Sequence, residues 1–206
     1  MDMTVKIEIK TCTKCEKEKQ VNEFYGIARS HCKDCERSAA SERMKQYNAT
    51  FRGKASQALQ TARKAVKRVE CEQGVEVDDT LTLPEVMMTL ADLECAWCGR
   101  DTPENERTLD HITPIKYSHK NEFSGVCMAC ADCNRLKSDI PAILHMIREG
   151  TDTYEARQLI DRIALRSRRT FKEAFEQLAA DTKTYYDTKA AEAIAAIEMD
   201  GETDEQ

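Results

Sequence analysis

The sequence predicts an α+β protein that is mostly helical and contains two small metal-binding modules. The first observation behind this is that eight of the ten cysteines fall into four Cys-x-x-Cys pairs: Cys12/Cys15, Cys32/Cys35, Cys95/Cys98 and Cys130/Cys133. The second is that apolar residues recur at helical spacing over long stretches on both sides of the later pairs. In a reducing compartment, paired cysteines indicate metal more often than disulfides.

The composition is that of a globular protein. The chain has 206 residues and a formal net charge of −6, and it is 41% hydrophobic and 33% charged, which argues against a mostly disordered chain. The longest uncharged apolar stretches, Phe123–Ala131 and Ile140–Ile147, fall far short of the roughly 18 residues of a membrane span. The start, Met1–Thr4, lacks a secretory pattern. We expect a cytoplasmic protein with no membrane partner.

Charge and motifs divide the chain into segments. Met1–Glu70 holds 16 basic and nine acidic residues, whereas the rest of the chain is acidic. A basic arm suits a nucleic-acid binder, and a solvated basic helix is the alternative. The predicted segments are a four-cysteine zinc module at 1–35, a basic helical linker or DNA-binding arm at 36–92, a motif-rich core at 93–149, C-terminal helices at 150–199 and an acidic tail at 200–206.

Periodicity and capping residues predict where the helices begin and end. A basic helical pattern runs from Glu36 to about Glu72, with an interruption near Asn48–Gly53 and a stop at Gly74. Thr82 and Glu85 form a capping box that opens a short helix. Asp152 and Glu155 resemble another capping box, which opens one long helix. The apolar face of that helix would include Ile160, Ile163, Ser167, Phe171, Phe175 and Leu178, and helix would continue to about Glu198.

The first four cysteines have the spacing of a zinc site. Sixteen residues separate Cys12-x-x-Cys15 from Cys32-x-x-Cys35. Four thiolates satisfy tetrahedral Zn²⁺, and each knuckle supplies two of them from one tight turn. The neighbouring Lys14 and Lys33 favour the thiolate form. His31 is an alternative ligand, although its adjacency to Cys32 favours a role as a neighbour.

The second four-cysteine set encloses a longer insert. Thirty-one residues separate Cys95-x-x-Cys98 from Cys130-x-x-Cys133, which is enough for a β-hairpin. Cys127 and Cys130 also form a Cys-x-x-Cys pair, so the register has an alternative. We prefer Cys130/Cys133 because the start of a helix follows directly at Asn134. Cys127 is then a strand residue in the small core.

Between and after these knuckles lie Leu109-Asp110-His111-Ile112-Thr113-Pro114 and Cys133-Asn134-Arg135-Leu136-Lys137. Here the sequence resembles the HNH (ββα-metal) nuclease family over about Cys95–Asp139. The residue types also suit phosphodiester hydrolysis on physical grounds. His111 can take a proton from an attacking water near neutral pH. Asp110 and Asn134 offer hard oxygen ligands to a divalent ion such as Mg²⁺.

The resemblance implies a zinc-stabilised, treble-clef-like ββα-metal nuclease core in the segment 93–149. It also implies that His111 is the general base and that Asp110 and Asn134 hold a catalytic Mg²⁺ or Mn²⁺, while two structural Zn²⁺ ions occupy the four-cysteine sites. One departure from the family pattern is visible. The middle Asn, which braces the loop of the catalytic His, falls on Gly125. Asn121 and His119 are the candidates to replace it.

The predicted function is therefore a metal-dependent HNH endonuclease acting on DNA. The first alternative is a zinc-containing DNA-binding or regulatory protein with an inactive HNH core, and a further one is a zinc-stabilised interaction module. The N-terminal module also resembles zinc modules that precede HNH domains in phage nucleases, which suggests a homing-type enzyme in the cytoplasm of a host cell. A homodimer through the C-terminal helix is an open possibility. Candidate DNA contacts are Lys116, Lys120, Arg135, Lys137, Arg63, Lys64, Lys67 and Arg68, each with a solvated surface charge as its alternative.

Overall fold

The computed structural model describes residues 8–202 and divides the chain into two compact units, Met1–Gly53 and Lys54–Gln206. The fold is α+β and mostly helical, as predicted. Most of the predicted acidic tail, 203–206, lies outside the described residues. Within the described part of the chain, no helix combines the length and the apolar character needed to cross a membrane.

The first unit is a short hairpin followed by a helix. Strand β1 (Ile9–Thr11) pairs antiparallel with β2 (Glu18–Gln20), and the turn between them carries the first cysteine knuckle. Helix α1 (Lys33–Ala49) begins in the second knuckle, since Cys32 is its N-terminal capping residue. Phe24 is buried against the cysteines, so the four-cysteine cluster and one aromatic ring form the core of this unit.

The predicted interruption of the basic helical region occurs at Thr50. This residue is extended, and its hydroxyl donates to Tyr47 O at 2.6 Å and accepts from Gly53 N at 3.0 Å. It therefore ends α1 and begins α2 (Phe51–Gln73). A Cβ atom at Gly53 would lie 1.9 Å from Tyr47 O, so only glycine fits this turn. At its other end α2 stops before Gly74, whose φ is +66°.

The second unit contains the remaining elements. The predicted capping box of α3 (Leu83–Leu90) is present, with the Thr82 amide donating to Glu85 at 2.9 Å. The other elements in chain order are β3 (Asp78–Asp79), which precedes α3, then β4 (Arg107–His111), α4 (Ile115–Ser118), β5 (Lys120–Asn121), β6 (Val126–Cys130), α5 (Ala131–Lys137), α6 (Ala142–Glu149), α7 (Thr153–Ser167) and α8 (Phe171–Glu202).

A strand–strand–helix motif lies at the centre of this unit. Strands β4 and β6 pair antiparallel, with Asp110 opposite Cys127 and His111 opposite Val126. Helix α5 starts directly from the end of β6 and packs on the hairpin. Cys127 is fully buried in β6, as predicted, and takes no part in the four-cysteine cluster. Its strand neighbours and Trp97 pack against α6, α7 and α8 to form the main core.

The prediction of one long C-terminal helix was wrong. Helices α7 and α8 are separate and pack against each other, and Arg168, in the left-handed conformation at φ 54°, ends the first. Thr170 and Glu173 then cap α8, since the Thr170 amide donates to the Glu173 carboxylate at 2.7 Å. This second capping box, Thr170-x-x-Glu173, was the available signal for the break, and the continuous apolar periodicity concealed it. Asp152 caps α7 by accepting from Tyr154 N at 2.6 Å.

We expect Cys130→Ser to unfold the second unit, whereas Cys127→Ser should be mild. The first change removes a ligand from a four-thiol site, and zinc bound to such a site supplies roughly 10–16 kcal/mol of apparent binding energy. The second change places a small hydroxyl in the core and costs about 1–3 kcal/mol. Zinc content and thermal melting of both variants are the measurements. Loss of zinc from the Cys127 variant but not from the Cys130 variant would show that Cys127, and not Cys130, is the zinc ligand.

Candidate active site

Both sets of four cysteines are brought together. Within each set the four sulfur atoms lie within 4.8 Å of one another. In the first set, Cys12 Sγ lies 3.8 Å from Cys35 Sγ, and Cys15 Sγ lies 4.0 Å from Cys32 Sγ. A tetrahedral ion with Zn–S bonds of about 2.3 Å requires sulfur separations of about 3.8 Å. The two clusters therefore fit zinc modules, each with an all-thiol donor set.

Backbone amides around the clusters stabilise thiolates. Cys12 Sγ accepts from Cys32 N at 3.2 Å, and Cys95 Sγ accepts from Cys130 N at 3.3 Å. Burial alone would raise the pKa of Cys12, but backbone hydrogen bonds lower that pKa to about 5. Burial also raises the pKa of Cys130, but hydrogen bonds, including one from the amide of Cys133, lower that pKa to about 7. One thiol in each cluster is thus favoured as a thiolate, which is the form that binds metal. Burial raises the pKa of Cys35, Cys95 and Cys133, so a bound metal ion would have to displace the protons of these thiols.

The three residues with predicted catalytic roles line one cleft. Asp110 and His111 come from the end of β4, and Asn134 comes from α5. The cleft has a volume of about 560 Å³, and Arg68 and Lys116 contribute positive charge to its lining. The side chains of Asp110 and His111 leave opposite faces of the strand because successive residues alternate. Both residues nevertheless line the same cleft.

His111 is held by Asn121. The Nε2 atom of His111 lies 2.8 Å from Oδ1 of Asn121, whose side chain is fully buried. Asn121 Nδ2 in turn donates to Asp79 Oδ1 at 2.7 Å. The parallel pairing of β3 with β5, which sets Asp79 opposite Asn121, brings the three residues together. Of the two candidates for the brace, Asn121 contacts His111, whereas His119 Nε2 lies 2.8 Å from Gln73 Oε1.

These contacts fix the protonation pattern of the His111 ring. The Asp79 carboxylate can only accept, so Asn121 must direct its NH₂ group to Asp79 and its carbonyl oxygen to His111. That oxygen also only accepts, so Nε2 of His111 carries the ring proton and Nδ1 is left with a free lone pair. Burial lowers the pKa of His111 below its ordinary value, against the opposing effects of Asn121 and Asp110. Burial therefore favours the neutral form of the ring.

Asp110 is buried between two donors. Trp97 Nε1 donates to its Oδ2 at 2.8 Å, and Lys137 Nζ lies 3.1 Å from its Oδ1. Burial raises the pKa of Asp110, while Lys137 and Trp97 act in the opposite direction. Lys137 also donates to the carbonyl oxygen of His111 at 2.6 Å. Lys137 was expected to be a surface contact for DNA, but it is 1% exposed and is a structural partner of Asp110 instead.

The donor set suits a divalent ion of the magnesium type. Asn134 Nδ2 donates to Thr108 Oγ1 at 3.0 Å, which leaves the Asn134 carbonyl oxygen as its ligand atom. The two oxygens of Asp110 each accept one hydrogen bond and each retain a lone pair. Carboxylate and amide oxygens are hard ligands that Mg²⁺ and Mn²⁺ prefer. The residues therefore fit such an ion, with Lys137 as a competitor for Asp110.

The other predicted DNA contacts have varied surroundings. Lys116 pairs with Asp139, and the exposed Arg135 pairs with Asp132 on its own helix. Arg63 lies 3.8 Å from the Asp79 carboxylate. Lys120 is half-buried in β5. Of the predicted contacts on α2, Lys64, Lys67 and Arg68 are exposed and have no acidic side chain within 4 Å among the described residues.

Two residues that contact this site, Asp79 and Trp97, are not among those predicted from the sequence. Asp79 lies in a two-residue strand far from the motif in sequence, and no short-range pattern connects it to His111. Trp97 lies inside the Cys95-x-x-Cys98 knuckle, where a large buried ring next to metal ligands marks a core position. His145 is buried beside this ring, edge-on to Trp97 with the ring centroids 5.1 Å apart.

We expect Lys137→Met to destabilise the second unit by about 3–5 kcal/mol, because it leaves the Asp110 carboxylate buried without its cation. The free energy of unfolding in urea is the measurement. Arg135→Met is the matched control on the same helix, since its side chain is 78% exposed and should cost little. Equal stability of the two variants would contradict the interpretation of Lys137 as a buried partner.

Comparison with known proteins agrees with this geometry. Residues 95–139 match the family model of the HNH endonucleases. No curated protein matches the chain significantly. The match spans the second cysteine cluster, the hairpin that carries Asp110 and His111, and helix α5 with Asn134. Residues 95–139 are therefore an HNH endonuclease domain, which indicates nuclease activity on nucleic acid.

Proposed function

We propose that this protein is a metal-dependent endonuclease that hydrolyses DNA phosphodiester bonds, with His111 as the general base. One observation carries the proposal. The Asn121 contact at 2.8 Å occupies Nε2 of His111 and leaves Nδ1 as a free base in a cleft lined also by Asp110 and Asn134. The HNH match over this segment supports the same chemistry.

In the proposed reaction His111 Nδ1 takes a proton from a water molecule, and the oxygen of that water forms a bond to phosphorus. The bond from phosphorus to the leaving sugar oxygen breaks, and that oxygen takes a proton from solvent water. Proton removal from the attacking oxygen is general-base catalysis, for which a neutral imidazole is suited near pH 7. As the imidazole becomes positively charged, the Asn121 oxygen still accepts from Nε2, and the negative charge of Asp110 is close by. Both groups stabilise the protonated ring during the step.

Asp110 and Asn134 would hold the divalent ion, Mg²⁺ or Mn²⁺. When bound, the ion would neutralise negative charge on the phosphate and on the leaving oxygen. Arg68 and Lys116, in the same lining, offer contacts to neighbouring phosphates. Lys64 and Lys67 are exposed on α2 near Arg68 in sequence and extend the proposed DNA contacts. In this proposal, Zn²⁺ in the two four-cysteine clusters has a structural role.

The alternative of an inactive HNH core rested on Gly125 replacing the middle Asn. Asn121 favours the active form, since it supplies the side-chain contact to His111, and the Gly125 carbonyl accepts from Ile112 N at 2.9 Å beside it. The phage homing role and the homodimer through α8 stay predictions.

We expect His111→Ala to abolish cleavage of supercoiled plasmid in Mg²⁺ or Mn²⁺, because no other group would accept the proton of the attacking water. DNA binding and zinc content should stay as in the parent chain. His119→Asn is the control, since asparagine tolerates the left-handed backbone at this position (φ 52°). If the His111 variant nicks plasmid at the rate of the parent chain, the assignment of His111 as the general base is wrong.

We expect Asp79→Ala to lower kcat about tenfold or more while KM for DNA changes little. Without the carboxylate, Asn121 can present its NH₂ group to the ring, and the proton then moves to Nδ1. Nitrogen-15 NMR of His111 reports this tautomer directly. Asp78→Ala is the matched neighbour in β3, and it should retain both the kcat and the tautomer. An unchanged tautomer in the Asp79 variant would contradict the positioning role.

A further inference from the structure

A second concave surface lies in the first unit, formed by the cysteine module and α1. We call it the knuckle groove, and its volume is about 870 Å³. Its lining contains five basic residues and a single acidic residue, Glu36. The basic residues are Lys14, Arg29, His31, Arg37 and Arg43.

The cations of the knuckle groove differ from those of a solvated helix face. On α8, lysines pair with acids one turn away, as in Lys172 with Glu176 and Lys183 with Asp187. Among residues 8–202, Lys14 and the three groove arginines have no carboxylate within 4 Å. Two acidic residues nearby in sequence pair with lysines outside the groove, Asp34 with Lys19 and Glu42 with Lys45. The groove therefore concentrates positive charge that no ion pair among the described residues neutralises.

The cysteine module holds the walls of this groove in place. Thr13 N donates to Ser30 O at 3.0 Å, which ties the first knuckle to the segment that carries Arg29 and His31. Because α1 begins in the second knuckle, Arg37 and Arg43 are fixed relative to the same cluster. The groove is thus organised before any ligand binds, which lowers the entropic cost of binding.

The surface also suits a nucleic-acid strand in shape and chemistry. Ala39 and Ala40 of α1 line the groove, and their small side chains permit a close approach to the helix. Tyr25 is 55% exposed and lies in the same lining, with its hydroxyl accepting from Arg37 Nε at 3.4 Å. Cationic grooves with an exposed aromatic ring bind phosphates along the groove and stack a base on the ring.

We propose that the knuckle groove is a DNA-binding site that contacts the phosphodiester backbone through Arg29, Arg37 and Arg43 and stacks an unpaired base on Tyr25. This extends the proposed nuclease function, because it assigns a binding site for the substrate in the unit that carries no catalytic residue. Binding through the groove can be measured without cleavage, so the two proposals can fail separately.

The test is fluorescence anisotropy of the full chain with labelled duplex and labelled single-stranded DNA of mixed sequence. The buffer has no added divalent ion, so that DNA stays intact, and no chelator, so that zinc is retained. Arg37→Gln with Arg43→Gln should weaken binding about tenfold or more at low salt. The slope of log K against log salt should fall by about two, one for each phosphate contact removed.

The control is Lys172→Gln with Lys183→Gln, which changes the net charge equally at exposed positions on α8. If the double arginine variant binds DNA as tightly as this control, with zinc retained in both, the proposal that the groove is a DNA site is overturned. Tyr25→Ala should weaken single-stranded binding more than duplex binding, and Tyr25→Phe should restore it. Equal effects of Tyr25→Ala on both DNAs would overturn the stacking contact. A parent chain that binds through the groove but never cuts plasmid would support this proposal and overturn the nuclease proposal.

Discussion

The four-cysteine cluster of the second unit is the constraint on which the geometry of the candidate active site depends. Cys130 is at once the last residue of β6, the N-terminal capping residue of α5 and a member of the cluster. Its amide donates to Cys95 Sγ, so the direction in which α5 leaves the hairpin is fixed by the opposite knuckle. Asn134 and Lys137 follow within two turns and are thereby directed to β4. Without this clamp, a seven-residue helix has too few internal hydrogen bonds to hold two side chains against the hairpin.

The buried pair of Asp110 and Lys137 is difficult to explain as a stabilising device. Desolvation of two charges offsets most of their attraction, and an apolar pair of similar size often serves a core equally well. Lys137, however, makes a second bond, to the carbonyl oxygen of His111. One ammonium group therefore fixes both the carboxylate and the backbone of the next residue. This favours an interpretation in which the pair positions the end of β4 rather than strengthens the core.

Sequence reasoning succeeded where the determinant was local. The knuckle spacings, the Thr82 capping box and the helix break before Gly53 depend on residues within a few positions of one another, and the structure contains all three. The burial of Lys137 was predictable in principle, because it lies three residues after Asn134 and so shares its helix face. The contact of Asp79 with Asn121 was not predictable, since it depends on the parallel pairing of β3 with β5. A two-residue strand has no periodicity from which that pairing could be predicted.

The contact with Asp79 also places one partner of the candidate active site outside residues 95–139. An amide group is nearly symmetric in shape, so the pocket around Asn121 cannot by itself select which end faces His111. A water molecule in place of Asp79 could donate or accept, and both ring tautomers would then be possible. A carboxylate removes that freedom because it only accepts. The proton position on His111 is thus determined two hydrogen bonds away, by a residue that lies sixteen positions before the HNH segment begins.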